Sequence, residues 1–166
     1  MELRSVEELM DLLHTGRGVW DSPAPGPHEA RGPGGHRGDM LRAGARGVDV
    51  HEHALQTAAL LRRSRPADKE LQVTGLVHPI GRLLGPADGA GRAERASDAV
   101  RPLLGERVAR LVRRHPWHGP ADDDLTRLRQ ADEDGRVAGF DAGVLEDWRT
   151  VLELVAARNS RLGAVD

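Results

Sequence analysis

The sequence predicts an all-α fold, and three observations indicate it. Apolar residues recur every three to four positions in several segments, which is the period of an amphipathic helix. No segment alternates apolar and polar residues over the length of a useful strand. The chain has 166 residues, enough for one domain with a substantial core. We therefore expect a compact helical bundle.

The first predicted helix covers about residues 5–14. Ser5 and Glu8 have the spacing of a capping box, and the apolar residues Leu9, Met10, Leu12 and Leu13 follow them. From residue 15 to 47 proline and glycine dominate, a composition that disfavours helix and buries little surface. We therefore divide the chain into residues 1–47, a helix plus a Pro/Gly-rich loop or lid, and residues 48–160, a helical domain.

Two helices are predicted next, at about 49–63 and 68–78. Asp49 and Glu52 again have capping-box spacing, and a Pro-containing turn separates the two helices. Pro79 disfavours helical geometry at the residue before it, His78. We expect the second helix to end or kink there.

Four further helices are predicted, at about 91–103, 105–114, 122–133 and 143–158. Leucine and valine recur at helical spacing through the first two of them and along the last. The segment from His115 to Pro120 breaks the chain, and Gly135 to Gly143 is interpreted as a loop. Exposed apolar surface on the last helix could support a homodimer.

Composition narrows the classes of function. The net charge of −2 gives no reason to expect nucleic acid or an acidic membrane as partner. There are no cysteines, which excludes disulfides and thiolate catalysis. We find no basic segment followed by an apolar run at the N-terminus and no apolar stretch of about 18 residues. A soluble cytoplasmic protein is the resulting expectation.

Four segments together resemble the HD-domain superfamily, namely 52–58, 74–84, 101–115 and 128–140. The order of these segments is most similar to that found in the branch of phosphonate-cleaving di-iron oxygenases, and the resemblance covers about residues 44–157. The resemblance implies an HD-domain helical bundle. It also implies that His53, His78, His115 and Asp132 occupy metal-ligand positions.

Several positions depart from that family pattern. Pro79 stands where the family has an Asp that bridges two metals, and Arg82 stands where a further His usually lies. Ala93 falls where another His would be, which leaves Glu94 without its partner. Proline offers no ligand atom. Arg82 would place a positive charge where the second metal ion would lie, and two like unit charges about 4 Å apart repel by several kcal/mol at an effective dielectric near 20. We therefore expect no two-metal site.

The interpretation that we favour contains no metal. In it His53 and His78 hydrogen-bond each other, Asp132 or water inside the bundle. The alternative is one divalent metal, iron, manganese or zinc, held by His53, His78 and Asp132. Two imidazoles and one carboxylate with open positions suit such ions.

We predict that the chain binds and converts a small organic molecule by metal-independent acid–base chemistry: isomerisation, elimination or cyclisation, as in specialised biosynthesis. The catalytic residues would be His53, His78, His115, Asp132 and Arg82. A His–Asp pair can exchange protons near neutral pH, and an arginine can bind an anionic or enolate oxygen.

Trp117 and His118 would contact the substrate at the mouth of the pocket, and Glu94 would contact it from within, where the metals lie in the family. Two alternatives to catalysis without metal stay open. The first is a non-catalytic binding or regulatory module. The second is a single-metal phosphohydrolase or oxygenase.

Other polar residues are given structural interpretations. His51 precedes His53 by two residues, so on a helix it points elsewhere, and we expect it at the surface. The acidic run 122–124 is expected to cap a helix rather than bind metal. Arg110, Arg113 and Arg114 are expected to form a solvated helix face rather than a nucleic-acid patch.

Overall fold

The structure, a computed structural model, describes residues 1–21, 48–116, 119–137 and 141–163. Within these ranges the chain forms seven α-helices, so the predicted all-α class is confirmed. The described residues hold one pair of very short antiparallel strands, β1 (Trp20–Asp21) and β2 (Val48–Asp49). Among the described helices, none combines the length and apolar character needed to cross a bilayer.

The α-helices follow one another in this order: α1 (Val6–His14), α2 (Val50–Ser64), α3 (Lys69–Val77), α4 (Gly89–Leu104), α5 (Glu106–Arg114), α6 (Asp123–Val137) and α7 (Arg149–Gly163). Among the described residues, the 3₁₀ helix His78–Arg82 follows α3 and the 3₁₀ helix Leu145–Trp148 precedes α7. The first five α-helices agree with the predicted ranges to within two residues at each end.

The boundaries of the last two helices were predicted wrongly. Helix α6 continues through Gly135 to Val137, within a segment that we interpreted as a loop. It can do so because Gly135 lies where α6 packs closely on α2, a tertiary contact that outweighs the low helix propensity of glycine. The last helix starts at Arg149, after a 3₁₀ turn that ends at the buried Trp148.

Side-chain caps fix where several helices begin. Ser5 Oγ accepts a hydrogen bond from Glu8 N at 3.2 Å, and Asp49 Oδ1 accepts one from Glu52 N at 3.0 Å. Asp122 Oδ1 accepts one from Leu125 N at 2.9 Å, as the capping interpretation of the acidic run predicts. Each such cap satisfies a backbone N–H that the helix leaves unpaired and stabilises by about 1 kcal/mol.

The main apolar core joins α1 to α5 and α7. Leu9 of α1, Leu76 of α3, Val100 of α4 and Trp148 before α7 are all at most 1 % exposed. The N-terminal helix therefore shares one core with the helices after residue 48. Gly105, with φ +93°, makes the tight turn from α4 to α5, a backbone conformation that other residues rarely adopt.

A second apolar cluster lies between α2, α3, α5 and α6. It contains six buried residues, Leu61, Leu71, Leu111, Leu125, Leu128 and Ala131. These four helices carry, or end at, the histidines and the aspartate singled out in the sequence. Packing in this cluster therefore determines how those side chains face one another.

Candidate functional site

Three imidazoles converge on one carboxylate, that of Asp132 on α6. His53 comes from α2, while His78 and His115 directly follow the ends of α3 and α5. Asp132 Oδ1 lies 2.5 Å from His53 Nε2 and 3.4 Å from His78 Nε2. Asp132 Oδ2 lies 3.0 Å from His115 Nε2. Four residues from four separate segments thus meet at one point.

The orientation of His78 is set by the backbone of the preceding turn. His78 Nδ1 lies 2.6 Å from the carbonyl oxygen of Gly75. A carbonyl oxygen only accepts, so Nδ1 carries the proton and donates it, and Nε2 of the neutral ring carries a lone pair. That lone pair faces Asp132 Oδ1.

Pro79 does not turn His78 away from the site. It lies in the first turn of the 3₁₀ helix, where a missing N–H leaves nothing unpaired. As predicted, α3 ends before Pro79. His78 nevertheless keeps helical backbone angles, φ −55° and ψ −32°, and the expectation of non-helical geometry there was wrong.

Burial sets the charge state of the cluster. The His78 side chain is 5 % exposed, and burial lowers the pKa of His78 to about 4, because the contact with Asp132 only partly offsets the lost hydration. Burial alone would raise the pKa of Asp132, but its contacts with His115, His53 and His78 outweigh burial and hold it well below its usual range. At neutral pH a neutral His78 therefore faces an ionised Asp132.

This arrangement leaves polar atoms without partners. His53 Nδ1 is buried and has no hydrogen-bond partner among the described residues. His115 Nε2 is also buried, and its approach to Asp132 lies outside the direction of a hydrogen bond. An unsatisfied buried polar group costs about 1–3 kcal/mol, so each of these atoms calls for a partner such as water, an ion or a ligand.

The donor atoms fit a single metal ion. His53, His78 and Asp132 each offer one ligand atom, all within 4.8 Å of one another, and could hold a metal ion. Two imidazole nitrogens and one carboxylate oxygen suit divalent iron, manganese or zinc. The bond from His78 Nδ1 to the Gly75 carbonyl is the outer contact that metal-binding histidines commonly make.

Gly135 controls how closely α6 approaches α2 beside the site. A Cβ added at Gly135 would lie 2.9 Å from Thr57 Oγ1 and 3.5 Å from His53 Cε1. Thr57 Oγ1 in turn donates to the carbonyl of His53 at 2.9 Å. This role was not predicted from the sequence, although Gly135 follows Asp132 by three residues and so shares its helix face.

The cluster lines one part of a cavity of about 200 Å³. Arg82, which was predicted to belong to the site, also lines this cavity. Arg92 from α4 and Arg136 from α6 line it too, and neither was predicted from the sequence. Arg136 follows Asp132 by four residues on the same face of α6, a spacing that could have identified it, and its Nε lies 3.7 Å from Asp132 Oδ1.

Three residues were predicted to contact the substrate. Glu94 does not line the cavity: its side chain is 60 % exposed and lies 3.6 Å from Arg113, so its assignment there was wrong. The reason is rotation about α4, since Ala93 faces the cavity and the next residue points about 100° away. Trp117 and His118 lie outside the described residues.

His51 was predicted at the surface, and this was wrong. It is 7 % exposed, and its Nδ1 lies 3.0 Å from the carbonyl oxygen of Leu13. Its ring stacks on that of His14 with 5.7 Å between centroids. The end of α1 covers the start of α2, a contact between distant segments that helix periodicity does not reveal.

Comparison with known proteins identifies no family. No protein-family model matches the sequence, and a search of curated proteins also finds no match. The HD-domain resemblance therefore remains a prediction based on the quoted segments.

Proposed function

We propose that this chain is an enzyme that binds one divalent metal ion through His53, His78 and Asp132 and converts a small organic molecule in the adjoining cavity. One observation carries the proposal. The neutral His78 directs the lone pair of Nε2 at the ionised Asp132 Oδ1, only 3.4 Å away. Two electron-rich atoms at that distance repel each other unless a cation lies between them.

Each residue of the cluster has a distinct task in this proposal. When bound, the divalent ion would polarise a substrate oxygen or lower the pKa of a water molecule. Asp132 supplies the negative charge that balances the ion, and the Gly75 carbonyl holds His78 in the tautomer that leaves Nε2 available. His115 lines the cavity with 16 % of its side chain exposed, so its ring can exchange a proton with a bound molecule.

A second candidate is the metal-independent acid–base enzyme predicted from the sequence. It is favoured by the 3.0 Å between His115 Nε2 and Asp132 Oδ2, since a nearby carboxylate can balance the charge of an imidazole that takes a proton from a substrate. Arg82 would then stabilise an anionic oxygen during isomerisation, elimination or cyclisation. A binding module without turnover would use the same cavity.

Metal binding by the purified protein tests the proposal. After chelation and dialysis, titration with Zn²⁺ or Co²⁺ should show about one ion bound per chain. His78→Ala and Asp132→Ala should each weaken this binding at least about 100-fold, because each removes a ligand. The matched control is His14→Ala, an exposed histidine outside the cavity, which should bind as the unchanged protein does.

The outcomes separate the two candidates. Loss of binding in both variants, with circular dichroism showing intact helices, supports the metal centre. A correctly folded protein that binds neither ion contradicts it. Turnover of a substrate by the chelator-treated protein would then favour the acid–base alternative.

A further inference from the structure

The cavity beside Asp132 is lined by more positive than negative charge. Three arginines reach it from three different elements: Arg82 from the 3₁₀ helix after α3, Arg92 from α4 and Arg136 from α6. Asp132 is the one carboxylate among the lining residues that the structure describes. A bound metal ion would add further positive charge, so the cavity favours an anionic occupant with or without metal.

A buried donor atom of Arg92 lacks an acceptor among the described residues. Its Nε is buried and has no hydrogen-bond partner within the described part of the chain. Guanidinium groups only donate, and buried donors in folded proteins almost always find an acceptor. The described residues supply no such acceptor, and water or a bound molecule can fill that role.

The backbone holds Arg92 firmly at the cavity wall. A Cβ added at Gly81 would lie 2.3 Å from the carbonyl oxygen of Arg92 and 2.8 Å from its carbonyl carbon. The 3₁₀ helix that carries Arg82 therefore lies directly against α4 at Arg92, which fixes the two arginines on adjoining walls. Such close contact requires glycine at position 81, so the packing of the fold itself determines this cavity wall.

We propose that Arg92, together with Arg82 and Arg136, forms an oxyanion-binding subsite, so that the molecule converted here is a small anion with a carboxylate or phosphate group. Arginine suits both groups, because its planar fork can donate two parallel hydrogen bonds to them. Arg136 Nε lies 3.7 Å from Asp132 Oδ1, so the subsite directly adjoins the cluster. The inference rests on the proposed function only where it states that the anion is converted. Binding of the anion itself requires no metal.

The dimensions of the cavity limit the ligand further. Its volume of about 200 Å³ is below the range of about 300–1,000 Å³ that accommodates drug-sized ligands. The described lining residues offer imidazoles but no larger aromatic ring on which a nucleobase could stack. We therefore expect a compact anion rather than a nucleotide.

Anion titration of the chelator-treated full chain tests the subsite. Inorganic phosphate and malonate, added separately up to about 10 mM, cover weak millimolar binding, with sodium chloride at equal ionic strength as reference. Calorimetry should detect at least one of the two anions binding, and its affinity should fall about 10-fold or more in Arg92→Gln. The control is Arg95→Gln, an exposed arginine on the same helix outside the cavity, which should leave the affinity unchanged.

The two titrations identify the anionic group of the ligand. Preference for phosphate indicates a phosphorylated ligand, and preference for malonate indicates a carboxylate. If Arg92→Gln does not fold, Arg136→Gln decides by the same 10-fold criterion. Absence of binding by both anions, or equal affinity in the unchanged protein and the decisive variant, overturns the subsite. Neither result affects metal binding, which is measured without these anions, so failure of this inference and failure of the proposed function are distinguishable.

Discussion

Asp132 assembles the site, because its two oxygens lie 2.5, 3.4 and 3.0 Å from nitrogens of three histidines. The sequence suggested these four residues only through a resemblance, since they come from four segments that no spacing rule connects. What the sequence could not show is the direction of each ring. The Gly75 carbonyl fixes the proton of His78 on Nδ1, and this single hydrogen bond favours one metal ion over the metal-free cluster that we expected from the sequence.

The first prediction concerns the tautomer of His78. In metal-free protein at pH 7 the ring should be neutral with its proton on Nδ1, because burial lowers its pKa to about 4 and Nδ1 donates to Gly75. Nitrogen chemical shifts in a long-range ¹⁵N–¹H spectrum distinguish the three forms of the ring. A protonated ring, or a proton on Nε2, would remove the argument for a cation beside Asp132.

At the scale of helices, the distance between α2 and α6 depends on glycine. The second prediction is that Gly135→Ala destabilises the protein by about 1–3 kcal/mol, because the new methyl would meet Thr57 Oγ1 at 2.9 Å and force the helices apart. Urea unfolding measures the change. Cobalt affinity should also fall, since His53 and Asp132 lie on the two helices that separate.

The matched control for this variant is Gly163→Ala at the end of α7, where an added Cβ meets nothing within 4 Å. It should change the free energy of unfolding by less than about 0.5 kcal/mol. An equally small effect of Gly135→Ala would mean that the close approach of α2 and α6 is not required.

An ion-pair cluster joins α3, α5 and α6. It consists of Asp68, which caps α3, Arg107 of α5 and Asp124 of α6. Arg107 donates to both oxygens of Asp68 at 2.8 Å and to Asp124 Oδ2 at 3.0 Å. The hydrogen bonds from Arg107 lower the pKa of Asp68, although partial burial opposes them. Because α5 leads into His115 and α6 carries Asp132, this cluster also supports the site.

The third prediction follows from that lowered pKa. A carboxyl whose pKa is lower in the folded than in the unfolded chain stabilises the fold above its unfolded pKa, and that contribution is lost as pH falls through the folded value. Asp68→Asn should therefore cost only about 1–2 kcal/mol at pH 7, because solvent screens this partly exposed ion pair, and it should weaken the loss of stability below about pH 4. Urea unfolding at several pH values measures both effects, and identical pH profiles would contradict the assignment.

At the scale of the whole molecule, a metal ion that binds only the folded chain must stabilise it. The fourth prediction is that Zn²⁺ at about 100 times its dissociation constant raises the free energy of unfolding by about 2.7 kcal/mol. Thermal or urea unfolding with and without the ion measures this gain. His78→Ala should show almost none of it, whereas His14→Ala should retain it.

The helical architecture was largely accessible from the sequence, because caps and apolar spacing are local signals. Ser5, Asp49 and Asp122 cap helices within one residue of the predicted starts. The features that escaped prediction depend on contacts between distant segments. Burial of His51 beneath α1 and the continuation of α6 through Gly135 are both of this kind.

The measurement that tests the central claim most directly is anomalous diffraction from crystals of the protein grown with Zn²⁺. We predict one peak per chain, about 2.0–2.2 Å from His53 Nε2, His78 Nε2 and an oxygen of Asp132. No peak at these residues, or two ions side by side next to Pro79, would contradict the account.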